Sequence, residues 1–436
     1  MSNKEDDVQI PSEVLDSWFE LLRIPSIGAD PAHLKDCEKC AEWLRSRLEN
    51  DGFSAELVGD GTHPPVVFAE RPGDERRPTV LVYGHYDVQP PDPLDAWTTP
   101  PFEPVLVDGR VRARGANDDK GQSFALLSGI ESLIAEGVQL PPLKVIYEGQ
   151  EESGSTALTR LAPKLGQRIA ADVLCVCDTD ESPDGRPAIV AGMRGVSHFT
   201  LRLKTGDHDL HSGLSGGWSP NAAHAMCALL ASLHGEDGRI AVEGFEDSVE
   251  PPDAATLKLL ADSVGGSEED FKRAERVGFH PTIEVNGVHS GYGGPGSKTI
   301  IPCEAIAKIS MRLAPGQIPE ECCKLVFEHL RARVPKGAEL SFEEVNAGTP
   351  GFRLATESPV FALAQELLAK LDPRGPVFVW EGASIPVVSE LARVSGAAPL
   401  LVGFGREGDR IHAPNETYGL DQFARARAWA RLFFSA

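Results

Sequence analysis

The stretch LKVIYEGQEESGS, residues 143–155, begins as a buried apolar strand and ends with Glu148, Glu151 and Glu152 crowded together. Two unit charges about 4 Å apart repel by roughly 4 kcal/mol at an effective dielectric constant of about 20. Two interpretations remain open from this stretch alone. Either the acids lie on a solvated loop, or the chain gathers cations at the end of this strand.

The strands around this stretch are equally apolar, and helical patterns separate them. TVLVYGHYD precedes the helical run Ser123–Glu136, and ADVLCVCD follows a short helical pattern near residues 157–165. Near-continuous apolar strands separated by helices indicate an α/β sheet covered on both faces. Reactive groups in such sheets gather just beyond the carboxyl ends of the strands, where His85 and the acids lie.

The pattern changes near Gly192. The following strands and helices have the order β-α-β-β-α-β, the split arrangement of ferredoxin-like modules. The alternating pattern returns near residue 352. We therefore expect an α/β domain in two pieces, residues 1–192 and 352–436, with a central mixed, mostly parallel sheet flanked by helices. A ferredoxin-like module, residues 193–351, is inserted between the pieces.

The composition limits the possible partners. The 436-residue chain has a formal net charge of −23, which argues against nucleic acid or an anionic membrane surface as a partner. The N-terminus MSNKEDDVQIPS lacks the apolar run of a secretory signal, and no stretch of about 18 apolar residues predicts a membrane span. Eight cysteines in so long a chain do not indicate a disulfide framework. These features predict a cytoplasmic protein.

Five motifs place acids and histidines at predicted strand ends, loops or helix starts. They are His85 and Asp87 in TVLVYGHYDVQP, Asp118 and Asp119 in VRARGANDDKGQSFALL, Glu151 and Glu152 in the stretch above, Asp178 and Asp180 in ADVLCVCDTDES, and His412 in GREGDRIHAPNE. Each motif alone is more typical of a solvated acid, a helix cap or a satisfied histidine. Together they supply nitrogen and oxygen ligands without thiolate, which suit zinc or manganese in an open catalytic site. A free glutamate beside such a site could serve as a base.

YGHYDVQP, GANDDKG, EGQEESGS, DLHSG and IHAPNE, in this order, resemble the motifs of the dinuclear-zinc exopeptidase family that includes carnosinases, aminoacylases and carboxypeptidases. The similarity spans nearly the whole chain and is closest to the cytosolic carnosinase-like dipeptidase branch. It implies two divalent metal ions, with zinc favoured and manganese as the alternative, and a small peptide substrate. It also implies that the inserted module is a lid and dimerisation module of a homodimer.

The resemblance implies roles for individual residues. Asp118 would bridge the two metals, Glu151 would be the general base and acid, and Asp87 would orient His85. The peptide bond between Asp118 and Asp119 would be cis. The other metal ligands would be His85 and Asp178 on one ion, and Glu152 and His412 on the other.

The resemblance extends to residues that would contact the substrate. His211 in DHDLHSGLSGG resembles a histidine that acts in trans, reaching the neighbouring subunit's site to stabilise the oxyanion; a surface histidine is the alternative. Thr299 in SKTIIP and Arg312 in ISMRLAP resemble residues that hold the substrate's terminal carboxylate, whose geometry an arginine fork matches. An edge-strand salt bridge is the alternative for Arg312. Ser384 in WEGASIPVV resembles a carboxylate-binding serine of the motif GGSIP, although Ala383 replaces the second glycine.

The expected activity is hydrolysis of dipeptides or other small peptides with a free C-terminal carboxylate, by a metal-bridging hydroxide with Glu151 handling the proton. An N-acyl amino-acid hydrolase, either a deacetylase or a desuccinylase, could use the same dinuclear site; the IPVV stretch after Ser384 favours the dipeptidase branch. A metal-free scaffold protein would be expected to lack a ligand or the base, and none is lost. A calcium-binding loop would need closely spaced oxygen ligands, whereas these candidates span more than 300 residues.

Overall fold

The chain forms two compact units. The first unit comprises Met1–Ala191, Leu354–Val379 and Val387–Ala436, and the second comprises Gly192–Arg353 and Trp380–Pro386. The computed structural model describes residues 10–264, 266–354, 358–382 and 385–436.

Helices and strands alternate along most of the chain. The helices are α1 (Ser12–Leu22), α2 (Leu34–Asn50), α3 (Lys120–Ala135), α4 (Thr156–Leu165), α5 (Ser212–Ser215), α6 (Ala222–Ala231), α7 (Ala254–Val264), α8 (Glu268–Phe279), α9 (Pro319–Arg331), α10 (Pro359–Leu371), α11 (Pro386–Ser395) and α12 (Leu420–Ser435). The strands are β1 (Ser54–Val58), β2 (Val66–Arg71), β3 (Val80–His85), β4 (Val105–Val107), β5 (Arg110–Arg112), β6 (Leu143–Glu148), β7 (Val173–Val176), β8 (Ala188–Met193), β9 (Gly195–Lys204), β10 (Leu210–His211), β11 (Thr282–Ser290), β12 (Ile300–Ile301), β13 (Glu304–Leu313), β14 (Glu339–Thr349), β15 (Phe352–Arg353), β16 (Val377–Glu381), β17 (Ala398–Gly403) and β18 (Thr417–Gly419).

The first unit is built on a mixed sheet with the strand order β1-β2-β6-β3-β7-β17-β8. The central strands β6, β3, β7 and β17 are parallel, while β2 and β8 on either side run antiparallel to their neighbours. Every residue of β3 and β7 is buried, which explains their unbroken apolar sequences. The predicted mixed, mostly parallel sheet flanked by helices is confirmed.

Helices cover this sheet and extend its core. α2 packs on β1 and β2, α3 packs on β3, and α12 runs along α3. The α3–α12 contact requires a glycine, because a Cβ atom at Gly129 would lie 2.6 Å from Ala430 Cβ and 2.8 Å from the Arg427 carbonyl oxygen. Most of α3 is therefore buried, packed on β3 and along α12.

The second unit contains a four-stranded antiparallel sheet with the strand order β11-β13-β9-β14. Its main elements follow one another as β9, α6, β11, β13, α9 and β14, with α7 and α8 between α6 and β11. α6 and α9 pack on this sheet around a core that includes Phe199, Met226, Ile309 and Val326. Among the helices of the described residues, none combines the length and apolar character needed to span a lipid bilayer.

The parallel strands of the first unit bring chemically reactive residues to one edge of the sheet. His85 at the end of β3 is the register partner of Glu148 at the end of β6. Asp178 follows β7 by two residues on the other side of β3. Groups from three separate parts of the sequence therefore meet beyond the carboxyl ends of these strands.

Candidate metal centre

Two overlapping clusters of possible metal ligands lie at this edge of the first unit. Each residue offers one ligand atom, and within a cluster these atoms lie within 4.8 Å of one another. Asp118 belongs to both clusters. One contains His85, Asp118 and Asp178, and the other contains Asp118, Glu152 and His412.

His85 is buried and presents its Nε2 atom to the first cluster. Nε2 lies 3.2 Å from Asp118 Oδ1 and 3.6 Å from Asp178 Oδ2. The other ring nitrogen, Nδ1, lies 3.1 Å from the carbonyl oxygen of Asp87 and 3.3 Å from its Oδ1. Burial alone would lower the pKa of His85, but the carboxyl groups of Asp118, Asp178 and Asp87 raise it well above its usual value. This pocket strongly favours positive charge.

Asp87 connects His85 to the segment that carries the two glutamates. Its fully buried carboxylate accepts hydrogen bonds from the backbone N–H groups of Glu151, at 3.1 Å, and Glu152, at 3.2 Å. A Cβ atom at Gly28 would lie 2.2 Å from the Gly149 carbonyl oxygen and 2.8 Å from Asp87. Glycine at position 28 therefore allows the segments that contain Gly28, Asp87 and Gly149 to approach closely around the Asp87 carboxylate.

Asp118 and Asp119 are joined by a cis peptide bond and point in different directions. Asp118 belongs to both clusters. Burial would raise the pKa of Asp118, but the neighbouring imidazoles of His412 and His85 hold it below its usual range. Asp119 caps α3 by accepting hydrogen bonds from the backbone N–H and hydroxyl of Ser123, and it also accepts from the N–H of His85. Helix capping therefore accounts for only one of these two aspartates.

His412 closes the second cluster from a loop before β18. Its Nε2 atom lies 2.9 Å from Asp118 Oδ2 and 3.2 Å from Glu152 Oε2. Hydrogen bonds with Asp118 and Glu152 raise the pKa of His412 to about 10. Gln89 donates a 2.7 Å hydrogen bond to Glu152 Oε2, which holds that carboxylate toward His412.

The donor set fits two divalent cations. Each cluster supplies one imidazole and two carboxylates, and the shared Asp118 has one oxygen near each histidine. Two buried atoms, His85 Nε2 and Glu152 Oε1, have no hydrogen-bond partner among the described residues, although unpaired buried polar atoms are costly. Nitrogen and oxygen donors in this number suit zinc or manganese. The arrangement therefore has the chemistry of a dinuclear site.

Glu151 lies beside the clusters but belongs to neither. It begins a short 3₁₀ helix, Glu151–Ser153, directly after Gln150. Burial raises the pKa of Glu151 well above its usual value; His85 opposes this shift, whereas Asp178 and Glu152 add to it. A carboxyl group that binds a proton so readily is suited to accept and return one during a reaction.

The sequence profile of peptidase family M20/M25/M40 matches residues 81–435. The chain belongs to this peptidase family. The resemblance predicted from the motifs is confirmed, and the chain is a metal-dependent peptidase.

Relatives with assigned activities cover most of the chain. The Cys-Gly metallodipeptidase dug1 of Schizosaccharomyces pombe is 30% identical and aligns with 93% of this chain and 91% of its own length. The beta-Ala-His dipeptidase of Rattus norvegicus is 27% identical, with 91% and 83% covered. The metallo-carboxypeptidase Sso-CP2 from Sulfolobus solfataricus has a TM-score of 0.85 at 30% identity, covering 97% of this chain and 98% of its own. Human carnosine dipeptidase 1 has a TM-score of 0.76 at 26% identity, with 97% and 96% covered.

The second unit of this M20-family chain contains His211, predicted to be catalytic, and two predicted substrate-binding residues, Thr299 and Arg312. His211 is exposed at the end of β10, and its Nδ1 accepts a 3.0 Å hydrogen bond from the N–H of Gly213. Exposed Thr299 lies next to it, because the N–H of Ser212 donates to the Thr299 carbonyl oxygen. Arg312 is half-buried in β13. Ser384 lies outside the described residues.

The structure brings the first-unit candidates together, and it separately brings His211 next to Thr299. Asp180 is in neither cluster; its backbone forms a parallel bridge with Gly405. Sequence reasoning missed the buried carboxylates of Asp409 and Glu416. Glu416 could have been considered, because it ends the IHAPNE motif four residues after His412.

Proposed function

We propose that this chain is a dinuclear metallopeptidase that hydrolyses dipeptides or other small peptides with a free C-terminal carboxylate. The observation that carries the proposal is the pair of ligand clusters sharing Asp118, with Glu151 directly beside them. The relatives named Cys-Gly and beta-Ala-His dipeptidases support short peptides as the substrate class.

The two metal ions would be held by the residues of the two clusters. Asp118 would contact both ions, His85 and Asp178 would complete one position, and Glu152 and His412 the other. When bound, the ions would polarise the scissile carbonyl and lower the pKa of the attacking water. Zinc is the first choice and manganese the alternative, since both accept mixed nitrogen and oxygen donors.

Glu151 would act as the general base and then as the general acid. It would take a proton from the attacking water and return it to the leaving amine. Asp87 supports this role, because it anchors the Glu151 backbone N–H while its carboxylate faces His85 Nδ1. The base and one metal ligand are therefore positioned by the same carboxylate.

Residues of the second unit would recognise the substrate. Arg312 and Thr299 would hold the terminal carboxylate, and Ser384 would contribute a further contact. His211 would stabilise the oxyanion from the partner subunit of a homodimer. In this proposal residues 1–192 and 352–436 are the catalytic domain, and residues 193–351 are the lid and dimerisation module.

The proposed compartment is the cytoplasm. All eight cysteines are free, and Cys37, Cys40 and Cys175 are among those buried in the structure. Burial raises the pKa of Cys175 to about 12, so this thiol is unreactive and packs in the core. Free thiols in this number are typical of a reducing environment.

The test compares substrates under controlled metal content. Chelator-stripped protein would be assayed with Zn²⁺ or Mn²⁺ added singly, using unblocked dipeptides such as Cys-Gly and β-Ala-His beside N-acetyl and N-succinyl amino acids. We expect metal-dependent cleavage of the unblocked dipeptides. Activity on the acylated amino acids alone would replace the dipeptidase proposal with the hydrolase alternative. Full activity after metal removal would refute the dinuclear mechanism.

A further inference from the structure

The loop that carries His412 lies between two fully buried carboxylates, Asp409 and Glu416. His412 itself is about half exposed. Arg410, His412 and Asn415 have positive φ angles of 61°, 59° and 64°. Non-glycine residues keep this backbone conformation only where their surroundings enforce it. The contacts at the two ends of the loop therefore decide where His412 is held.

At one end, Asp409 binds the segment that precedes the shared ligand Asp118. Its Oδ2 accepts a 2.9 Å hydrogen bond from the side-chain amide of Asn117 and a 2.8 Å bond from that of Gln422. The N–H of Arg406 donates to the same oxygen at 2.8 Å, and the guanidinium of Arg110 pairs with Oδ1. Both carboxylate oxygens of Asp409 are thus engaged by protein groups.

At the other end, Glu416 binds the same segment through its backbone. Its Oε1 accepts hydrogen bonds from the N–H groups of Asn117, at 2.9 Å, and Asp118, at 3.1 Å. Its Oε2 accepts from the N–H of Gly115, at 2.9 Å, and pairs with the buried guanidinium of Arg114 at 2.8 Å. Asn117 is therefore held by its side chain from one end of the loop and by its backbone from the other.

We propose that Asp409 and Glu416 are positioning residues that fix His412 against Asp118 and so set the affinity of one metal position, formed by Asp118, Glu152 and His412. The inference rests on the proposed function, because it concerns the same dinuclear site. Metal–ligand distances tolerate only about 0.2 Å of variation, so the separation of the two segments must be set before the ion binds. The other position depends less on the loop, because His85 ends a strand of the central sheet.

The experiment uses the full-length chain after chelation. Asn117→Ala cuts the connection to Asp409 and leaves that carboxylate its other three partners. Asp409→Asn removes the charge while keeping the shape. His412→Ala identifies the equivalent of metal that belongs to the His412 position. Glu131→Gln is the matched control, because it neutralises a largely buried carboxylate paired with Arg47 elsewhere in the first unit. Calorimetric titration with Zn²⁺ gives each affinity, and the visible spectrum with Co²⁺ reports coordination.

Wild-type protein and the Glu131→Gln variant should each bind two equivalents of Zn²⁺, and the two affinities of the variant should equal those of the wild type. Asn117→Ala and Asp409→Asn should keep one equivalent unchanged and bind the other about 10–100-fold more weakly. The weakened equivalent should be the one lost in His412→Ala, with a matching loss in the Co²⁺ spectrum. Asn117→Ala removes no charge. If Asp409→Asn fails to fold, the metal affinities of Asn117→Ala therefore test the inference.

Two results would overturn the inference while leaving the proposed function intact. In the first, Asn117→Ala and Asp409→Asn bind both equivalents of metal with affinities within threefold of wild type. In the second, these variants bind both equivalents more weakly by the same factor. A wild-type chain that takes up no metal would instead remove the proposed function together with this inference.

Discussion

Replacing Asp87 by asparagine tests whether one carboxylate positions both the proposed base, Glu151, and the proposed metal ligand His85. The Asp87 carboxylate accepts hydrogen bonds from the backbone N–H groups of Glu151 and Glu152, and it faces His85 Nδ1. An asparagine of the same shape keeps one acceptor oxygen and turns an NH₂ group toward another donor. The exchange therefore disturbs two parts of the site with little change in volume.

The expected magnitudes follow from these contacts. A buried N–H group left without an acceptor costs about 1–3 kcal/mol, so the free energy of unfolding of the metal-free protein should fall by that amount. Loss of a carboxylate beside a metal-binding histidine should weaken metal binding by about 10–100-fold. At saturating Zn²⁺, kcat should still be lower by about 100-fold, because Glu151 loses the hydrogen bond that fixes its backbone.

Three measurements check the Asp87→Asn variant: urea denaturation of metal-free protein, calorimetric titration with Zn²⁺, and dipeptide hydrolysis at saturating Zn²⁺. Asp95→Asn is the control, because it makes the same change at an exposed site in the same segment. If the two variants behave alike in all three measurements, Asp87 positions neither Glu151 nor His85 and the reasoning fails.

Three further predictions follow from the site. Glu151→Gln should lower turnover by at least about 100-fold while elemental analysis still finds both metal ions. Asp118→Ala should lose both metal ions. Near-normal turnover of Glu151→Gln would contradict the assignment of Glu151 as the base. His211→Ala should lower kcat by about 100-fold or more at unchanged metal content, while His208→Ala, a nearby exposed histidine, should not; equal rates would return His211 to a surface role. Burial raises the pKa of Glu148 to about 7. As pH rises, the Glu148 carboxyl therefore keeps its proton longer in the folded state than in the unfolded state. The free energy of unfolding should accordingly decrease as pH rises from about 4.5 to 7. Glu148→Gln should remove up to about 3 kcal/mol of that decrease in denaturation curves of metal-free protein, and identical pH profiles would contradict the prediction.

The central sheet was predictable because its signals are local. Continuous apolar runs mark β3, β6 and β7, and parallel strands place their carboxyl ends at one edge. The proximity of His85 to Asp118 follows from that rule together with the start of α3. Helix α11 was not predicted, because a segment of only ten residues gives few turns over which a helical apolar period can be distinguished.

The contacts that hold the His412 loop carry no local signal. The hydrogen bond from Asn117 to Asp409 joins positions 292 residues apart, and that from Asp118 to Glu416 joins positions 298 apart. Neither carboxylate lies in a periodic pattern that predicts burial, and charged residues are rarely fully buried. Only the folded chain brings these partners together.

The paired acids of this chain are explained by a division of roles between neighbours. In Asp118–Asp119, one carboxylate faces the ligand clusters and the other caps α3. In Glu151–Glu152, one carboxylate belongs to a cluster and the other lies beside it with a raised pKa. Each pair therefore places a candidate metal ligand next to a group that either caps a helix or has a raised pKa. Exchanging the functions within a pair would require turning the backbone, so the like charge of two neighbours does not make them interchangeable.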